Sequence, residues 1–141
     1  MKVTEIEQLK KIPAAGDNNE IMKMVREKIS KTYSYFVLLK SLSGEDDTAI
    51  SDWLNINEKT FRSHKLPSKN AKPIVFEHTI MLLSLYKHGI EVFGNKEKFN
   101  EWLGKGNFYF DNLSPREYMN TASGIKYIDD RLTAMEYGDN A

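Results

Sequence analysis

The sequence has no cysteine, which excludes disulfide frameworks, zinc ribbons, iron–sulfur clusters and thiol nucleophiles and is compatible with a reducing cytosol. It also has no net charge, because 20 lysines and arginines balance 20 aspartates and glutamates. That balance argues against a polybasic protein that binds nucleic acid through bulk charge alone. The 141 residues are 40% hydrophobic and 11% aromatic, which is enough for a core. We therefore expect one domain or two small, interdependent modules.

Long apolar runs are missing too. Residues 1–5 lack the apolar segment of a secretory signal. The most apolar window, residues 74–93, is interrupted by charges and histidines, and its longest uninterrupted stretch, residues 79–86, is too short to span a bilayer. These absences predict a soluble, cytoplasmic protein.

Apolar residues recur at helical spacing along most of the chain, and residues that favour helix ends stand between the repeats. No segment shows sustained period-two alternation, apart from a short one at Phe108–Phe110. The pattern predicts an all-α fold, in which residues 1–17 form a flexible arm and the long helix over residues 72–93 lies in the middle of a bundle. The predicted helices begin near Asp17, Tyr33, Asp47, Asn57, Lys72, Asn95, Ser114 and Thr121.

No set of residues resembles a catalytic, metal or phosphate-binding site. The three histidines lack the spacing of a metal motif, so we interpret them as exposed or half-buried residues. The adjacent aspartate pairs diverge on a helix, so we interpret them as solvated faces. The segment Gly104–Gly106 lacks the spacing of a phosphate-binding loop. We expect no enzymatic activity, no metal and no cofactor. The residues considered are His64, His78, His88, Asp46, Asp47, Asp129 and Asp130.

Residues 48–65 have the pattern of a helix-turn-helix unit, in which two helices cross at a small residue and a tight turn. Ser51 is the small residue, Asn55 stands where the turn needs positive φ, and Asn57 can cap the second helix. The apolar faces are supplied by Ile50, Trp53, Leu54, Ile56 and Phe61.

The second helix of this unit has an exposed face rich in hydrogen-bond donors, which suits phosphates and base edges. Residues 59–72 hold five lysines or arginines and no acid. The alternative is an ordinary helical hairpin with a solvated basic face. The candidate DNA-binding residues are Lys59, Thr60, Arg62, Ser63 and Lys65.

Aromatic residues at Phe108–Phe110 could stack on bases, but three aromatics beside a helix junction more often anchor a core. We favour the core anchor.

The C-terminal third carries motifs that resemble the Xre/MbcA/ParS-type antitoxins. The match covers residues 90–141, and the helix-turn-helix pattern fits the same architecture upstream. Its motifs are Val92-Phe93-Gly94, Trp102-Leu103, Ser114-Pro115, Gly124-Ile125, Asp130-Arg131-Leu132 and the closing Met135-Glu136-Tyr137-Gly138.

The resemblance implies an antitoxin that neutralises a RES-domain toxin, a class associated with the consumption of NAD, and that represses its own operon. It also implies a helix-turn-helix domain over residues 18–90 and a toxin-binding domain over residues 91–141, whose C-terminal end approaches the toxin's active site. A frayed terminus without a role is the alternative for that end. The candidate toxin-binding residues are Glu136, Tyr137, Gly138, Asp139, Asn140 and Ala141.

A homodimer is expected as well, since two recognition helices must reach major-groove half-sites about 34 Å apart. Two other functions stay open. One is a stand-alone repressor whose C-terminal region serves only dimerisation. The other is a protein-interaction module whose helix-turn-helix no longer reads DNA.

Overall fold

A computed structural model describes residues 1–141 and confirms the all-α fold, with eight α-helices, two short 3-10 helices and no strand. The 3-10 helices span Phe108–Phe110 and Pro115–Tyr118. The α-helices are α1 (Val3–Lys10), α2 (Asn18–Lys28), α3 (Tyr33–Ser43), α4 (Asp47–Leu54), α5 (Glu58–His64), α6 (Pro73–Phe93), α7 (Lys96–Leu103) and α8 (Ala122–Glu136).

Helix α6 lies in the middle of the bundle, as predicted, and packs against α1, α2, α3, α4, α7 and α8. Its apolar side chains spread around most of its circumference, so neighbours on several sides are needed to bury them. All 27 buried hydrophobic residues of the chain form one cluster. None of the helices combines the length and the apolar run needed to cross a bilayer.

Most helix ends follow from local side-chain chemistry. The side chains of Asp17, Asn57, Asn95 and Thr121 each accept a hydrogen bond from a backbone N–H in the first turn of the following helix. Helix α6 ends at Gly94, whose φ of 93° belongs to the left-handed region that glycine adopts without strain. The start predicted near Ser114 is present, but it opens a 3-10 helix instead of an α-helix.

The N-terminal arm differs from the expectation of a flexible segment. Residues 3–10 form α1, and Leu9 and Ile12 are buried in the common core. The ammonium group of Lys87 donates hydrogen bonds to the carbonyl oxygens of Lys10, at 3.2 Å, and Ile12, at 2.8 Å. The arm is held by burial of apolar side chains on α6, a contact between residues too far apart in sequence for local patterns to reveal.

Two polar contacts connect the segment around α4 with the C-terminal part of the chain. The side-chain amide of Asn55 donates to the carbonyl oxygen of Asn120 at 2.9 Å. The guanidinium of Arg116 lies 3.0 Å from the carboxylate of Glu45, just before α4. The two regions therefore share hydrogen bonds as well as a core.

Candidate functional site

The connection between α4 and α5 has the local features expected of the turn. Asn55 adopts φ 58° and ψ 38°, and the N–H of Ile56 donates to the carbonyl oxygen of Ser51 at 3.1 Å. Ser51 is buried and Asn57 caps α5 by accepting from the N–H of Thr60 at 2.7 Å. The predicted apolar residues of both helices lie in the core or pack against it.

The face of α5 that points to solvent carries two of the predicted DNA-binding cations. Lys59 is exposed and forms no ion pair. Arg62 is also exposed, and its guanidinium lies 2.8 Å from the carboxylate of Glu58 one turn earlier. An exposed pair of this kind contributes little, so Arg62 can exchange Glu58 for another anion at small cost.

Lys65 differs from the prediction, because its side chain is largely covered instead of exposed. Its ammonium lies 2.8 Å from Oδ1 of Asp47 and 5.1 Å from the centroid of the Phe61 ring, and only 23% of its side chain is accessible. The hydrogen bond from Lys65, with a second from Lys40, lowers the pKa of Asp47. Lys65 therefore fastens α5 to the start of α4, and a role in DNA binding stays a prediction.

The two hydroxyl-bearing candidates on α5 are half-buried. The hydroxyl of Ser63 donates to the carbonyl oxygen of Thr60 at 2.8 Å. A hydroxyl engaged in its own helix remains able to accept, so each residue keeps part of its hydrogen-bonding capacity. The cations at Lys59 and Arg62 are the most accessible groups of this surface.

The C-terminal tail, defined here as residues 136–141, is exposed throughout. Tyr137 has 88% of its surface accessible, the largest value among the exposed large hydrophobic residues. Gly138, at φ 94°, turns the chain out of α8. The ring of Tyr137 is therefore presented to solvent at the end of a rigid helix.

The tail folds back on its own domain. The guanidinium of Arg131 lies 3.1 Å from the carboxylate of Asp139 and donates to the carbonyl oxygen of Asn140 at 2.7 Å. The carbonyl oxygen of Ala141 accepts from Asn107 at 2.9 Å and from Trp102 at 3.3 Å. These contacts order the tail without burying it.

The aromatic segment at residues 108–110 divides between core and surface. Phe110 is buried, as expected of a core anchor, whereas Phe108 is 81% exposed. Tyr109 lies between them, with the guanidinium of Arg131 3.6 Å from its ring centroid. Asn107 donates a hydrogen bond to the tail, and Phe108 is the next residue in the chain. The exposed ring of Phe108 therefore follows directly on a residue that contacts the tail.

A charged cluster that the sequence patterns missed holds the start of the tail. Nδ1 of His88 lies 2.6 Å from the carboxylate of Asp129, and its Nε2 contacts the carboxylate of Glu136. These carboxylates, Asp129 first, raise the pKa of His88 to about 9. Asp129 is half-buried and not the solvated residue that we expected. His88 lies on α6 and both carboxylates lie on α8, so no spacing motif could reveal the cluster.

The other histidines have no carboxylate partner. Burial lowers the pKa of His64, which lies against the ring of Phe36, and burial likewise lowers the pKa of His78. One ring nitrogen of His78 lies 2.9 Å from the carbonyl oxygen of Met119. No group of three or more histidine, aspartate or glutamate side chains has an arrangement that could hold a metal ion.

Comparison with known proteins finds a similarity in the C-terminal part of the chain. Residues 88–138 match the family described as the antitoxin Xre/MbcA/ParS C-terminal toxin-binding domain. The matched segment contains Phe108, His88 and the first residues of the tail, and it supports an antitoxin role and a toxin partner. No curated protein matches the chain significantly.

Proposed function

We propose that the chain is an antitoxin that binds and neutralises a RES-domain, NAD-consuming toxin and represses its own operon by binding DNA. The observation that carries this proposal is the match of residues 88–138 to an antitoxin toxin-binding domain. The antitoxin binds the toxin with its C-terminal part and DNA with α5, and it needs no catalytic residue or cofactor of its own.

The toxin-binding surface consists of the C-terminal tail together with Phe108. Two exposed aromatic rings, Phe108 and Tyr137, can bury a large area on binding at a low cost in side-chain entropy. Glu136 and Asp139 add two carboxylates, paired within the chain with His88 and Arg131, which can pair with basic groups of a cleft built for a phosphate-bearing substrate. The carboxylate side chains of Glu136 and Asp139 are 47% and 52% exposed, so they remain accessible to the toxin.

The DNA-binding surface is the exposed face of α5. Lys59 and Arg62 supply phosphate or base contacts, and Thr60 and Ser63 add hydroxyl groups beside them. Lys65 acts indirectly, because its bond to Asp47 fixes the position of α5. We further propose that residues 18–90 form the DNA-binding domain, residues 91–141 the toxin-binding domain, and that a homodimer presents two copies of α5 to two half-sites.

Co-expression with the protein encoded by the adjacent reading frame tests the antitoxin function. The full chain should rescue growth of cells that express this toxin and should co-elute with it on a sizing column. A variant truncated after Met135 should stay folded, since residues 136–141 are exposed, and should lose rescue. Full rescue by the folded truncation would show that the tail has no role.

A gel-shift titration on a duplex from upstream of the chain's own gene tests the DNA function. The double variant Lys59→Glu, Arg62→Glu should lose binding. The milder Lys59→Ala should lower the slope of log affinity against log salt by about one. A matched control, Lys98→Glu with Lys126→Glu, makes the same charge change at exposed positions on α7 and α8. Equal affinity of both double variants would contradict a role for α5.

A further inference from the structure

An open apolar groove of about 340 Å³ lies between α2 and the start of α6. Met22, one of its apolar lining residues, is 52% exposed. Adjacent apolar side chains left in water cost free energy that a partner can recover by covering them. The groove is lined by Met22, Val25, Arg26, Ile29, Pro73 and Glu77.

The charges of the groove point to its occupant. Arg26 and Glu77 both line it, and neither takes part in any ion pair within the chain. A partner surface that carries charges of only one sign would attract one of these groups and repel the other. A second copy related by a two-fold axis satisfies both, because Arg26 then faces the partner's Glu77 and Glu77 faces the partner's Arg26.

We propose that this groove is the interface of a homodimer, with Met22 in its centre and two symmetric Arg26–Glu77 pairs at its rim. The inference rests on the dimer included in the proposed function and names the surface that forms it. Helix α6 follows α5 directly in the chain, so an interface at the start of α6 joins the two copies of α5 through one short loop each.

A charge-swap cycle tests the interface, with the dimer dissociation constant of the full chain measured by sedimentation over a dilution series. Arg26→Glu and Glu77→Arg should each weaken the dimer by about tenfold or more, since each places like charges opposite one another twice. The double variant should recover most of the wild-type affinity. Lys23→Glu, an exposed change on α2 outside the groove lining, serves as the control and should leave the constant unchanged.

Circular dichroism verifies that each variant is folded, and Met22→Asp gives a second test that does not depend on the charge pair. A monomeric wild-type chain at high micromolar concentration would overturn both the dimer and this interface. A wild-type dimer that the single variants and Met22→Asp leave intact would overturn the interface alone. Weakened single variants without recovery in the double variant would overturn the two-fold pairing. If the groove variants keep the wild-type dimer constant but no longer co-elute with the toxin, the groove binds the toxin instead.

Discussion

At the scale of single residues, two α-helices approach each other closely at Gly89 of α6. A Cβ atom there would lie 2.3–2.4 Å from three ring atoms of Phe99, which is fully buried and cannot move freely. The glycine lets α7 approach α6, and the ring of Phe99 in turn packs against Tyr86 and Trp102. This position therefore fixes how α6 and α7 pack in the C-terminal part of the chain.

We expect Gly89→Ala to destabilise the chain by about 1–3 kcal/mol, because the added methyl group forces the Phe99 ring out of a packed core. Thermal unfolding followed by circular dichroism measures the change. Gly16→Ala is the matched control, since a Cβ atom at Gly16 meets nothing within 4 Å. An unfolding temperature for Gly89→Ala equal to that of the control would show that the two helices can separate without cost.

The His88 cluster makes stability depend on pH. The pKa of His88 is about 9 in the folded chain and about 6.5 when unfolded, so its stabilisation is fully present below pH 6.5 and is lost as the pH rises through 9. Asp129→Asn removes the main cause of the shift. We expect this variant to melt below the wild type near pH 6, by a margin that narrows toward pH 10.

The adjacent residue provides the control for that comparison. Asp130 forms only an exposed pair with Lys126, so Asp130→Asn should change the melting temperature little at any pH. A pH-independent difference between Asp129→Asn and the wild type would contradict the charged state of His88. Direct NMR titration of the His88 ring gives an independent reading of its pKa.

At the scale of secondary-structure elements, the sequence predicted what depends on near neighbours. The caps at Asn57, Asn95 and Thr121 and the left-handed turn at Asn55 each involve atoms a few residues apart, and all are present. The burial of α1 escaped prediction because its anchoring to α6 depends on contacts across the fold.

The same distinction applies to the candidate sites. The pattern identified the helix that carries Lys59 and Arg62, but it could not foresee that Lys65 turns inward to Asp47. It selected the tail by motif and missed Phe108, because the spacing of three consecutive aromatics does not say which ring enters the core. Side-chain direction is fixed by tertiary packing, which spacing along the sequence does not reveal. The family motifs indicate important residues only at the positions that the motifs contain, and Phe108 is not one of these.

Tyr137 is the large exposed hydrophobic side chain of the C-terminal tail. Tyr137→Ala should weaken toxin binding by at least about tenfold, because a large exposed ring is the usual anchor of an interface. The fold should be unaffected, since this ring is 88% exposed. Calorimetric titration with the purified toxin measures the affinity. Val3→Ala, which shortens a 70% exposed side chain on α1, is the control, and equal affinities for both variants would remove Tyr137 from the interface.

At the scale of the whole molecule, the proposed DNA-binding and toxin-binding surfaces belong to one packed body. Helix α6 contributes to the core of both regions, and the bonds from Asn55 to Asn120 and from Arg116 to Glu45 join them at the surface. The two partners are nevertheless proposed to bind separate faces, with DNA at α5 and toxin at the tail. A chain built this way can hold both partners at once.

Hydrogen–deuterium exchange of the chain, free and bound to the toxin from the adjacent reading frame, tests this separation most directly. We expect slowed exchange over residues 104–113 and 131–141, because the tail and the loop that carries Phe108 become covered. Residues 47–64, which contain α4 and α5, should exchange at the same rate in both states. Protection confined to residues 47–64, with the tail unchanged, would show that the toxin binds at α4 and α5 and not at the tail.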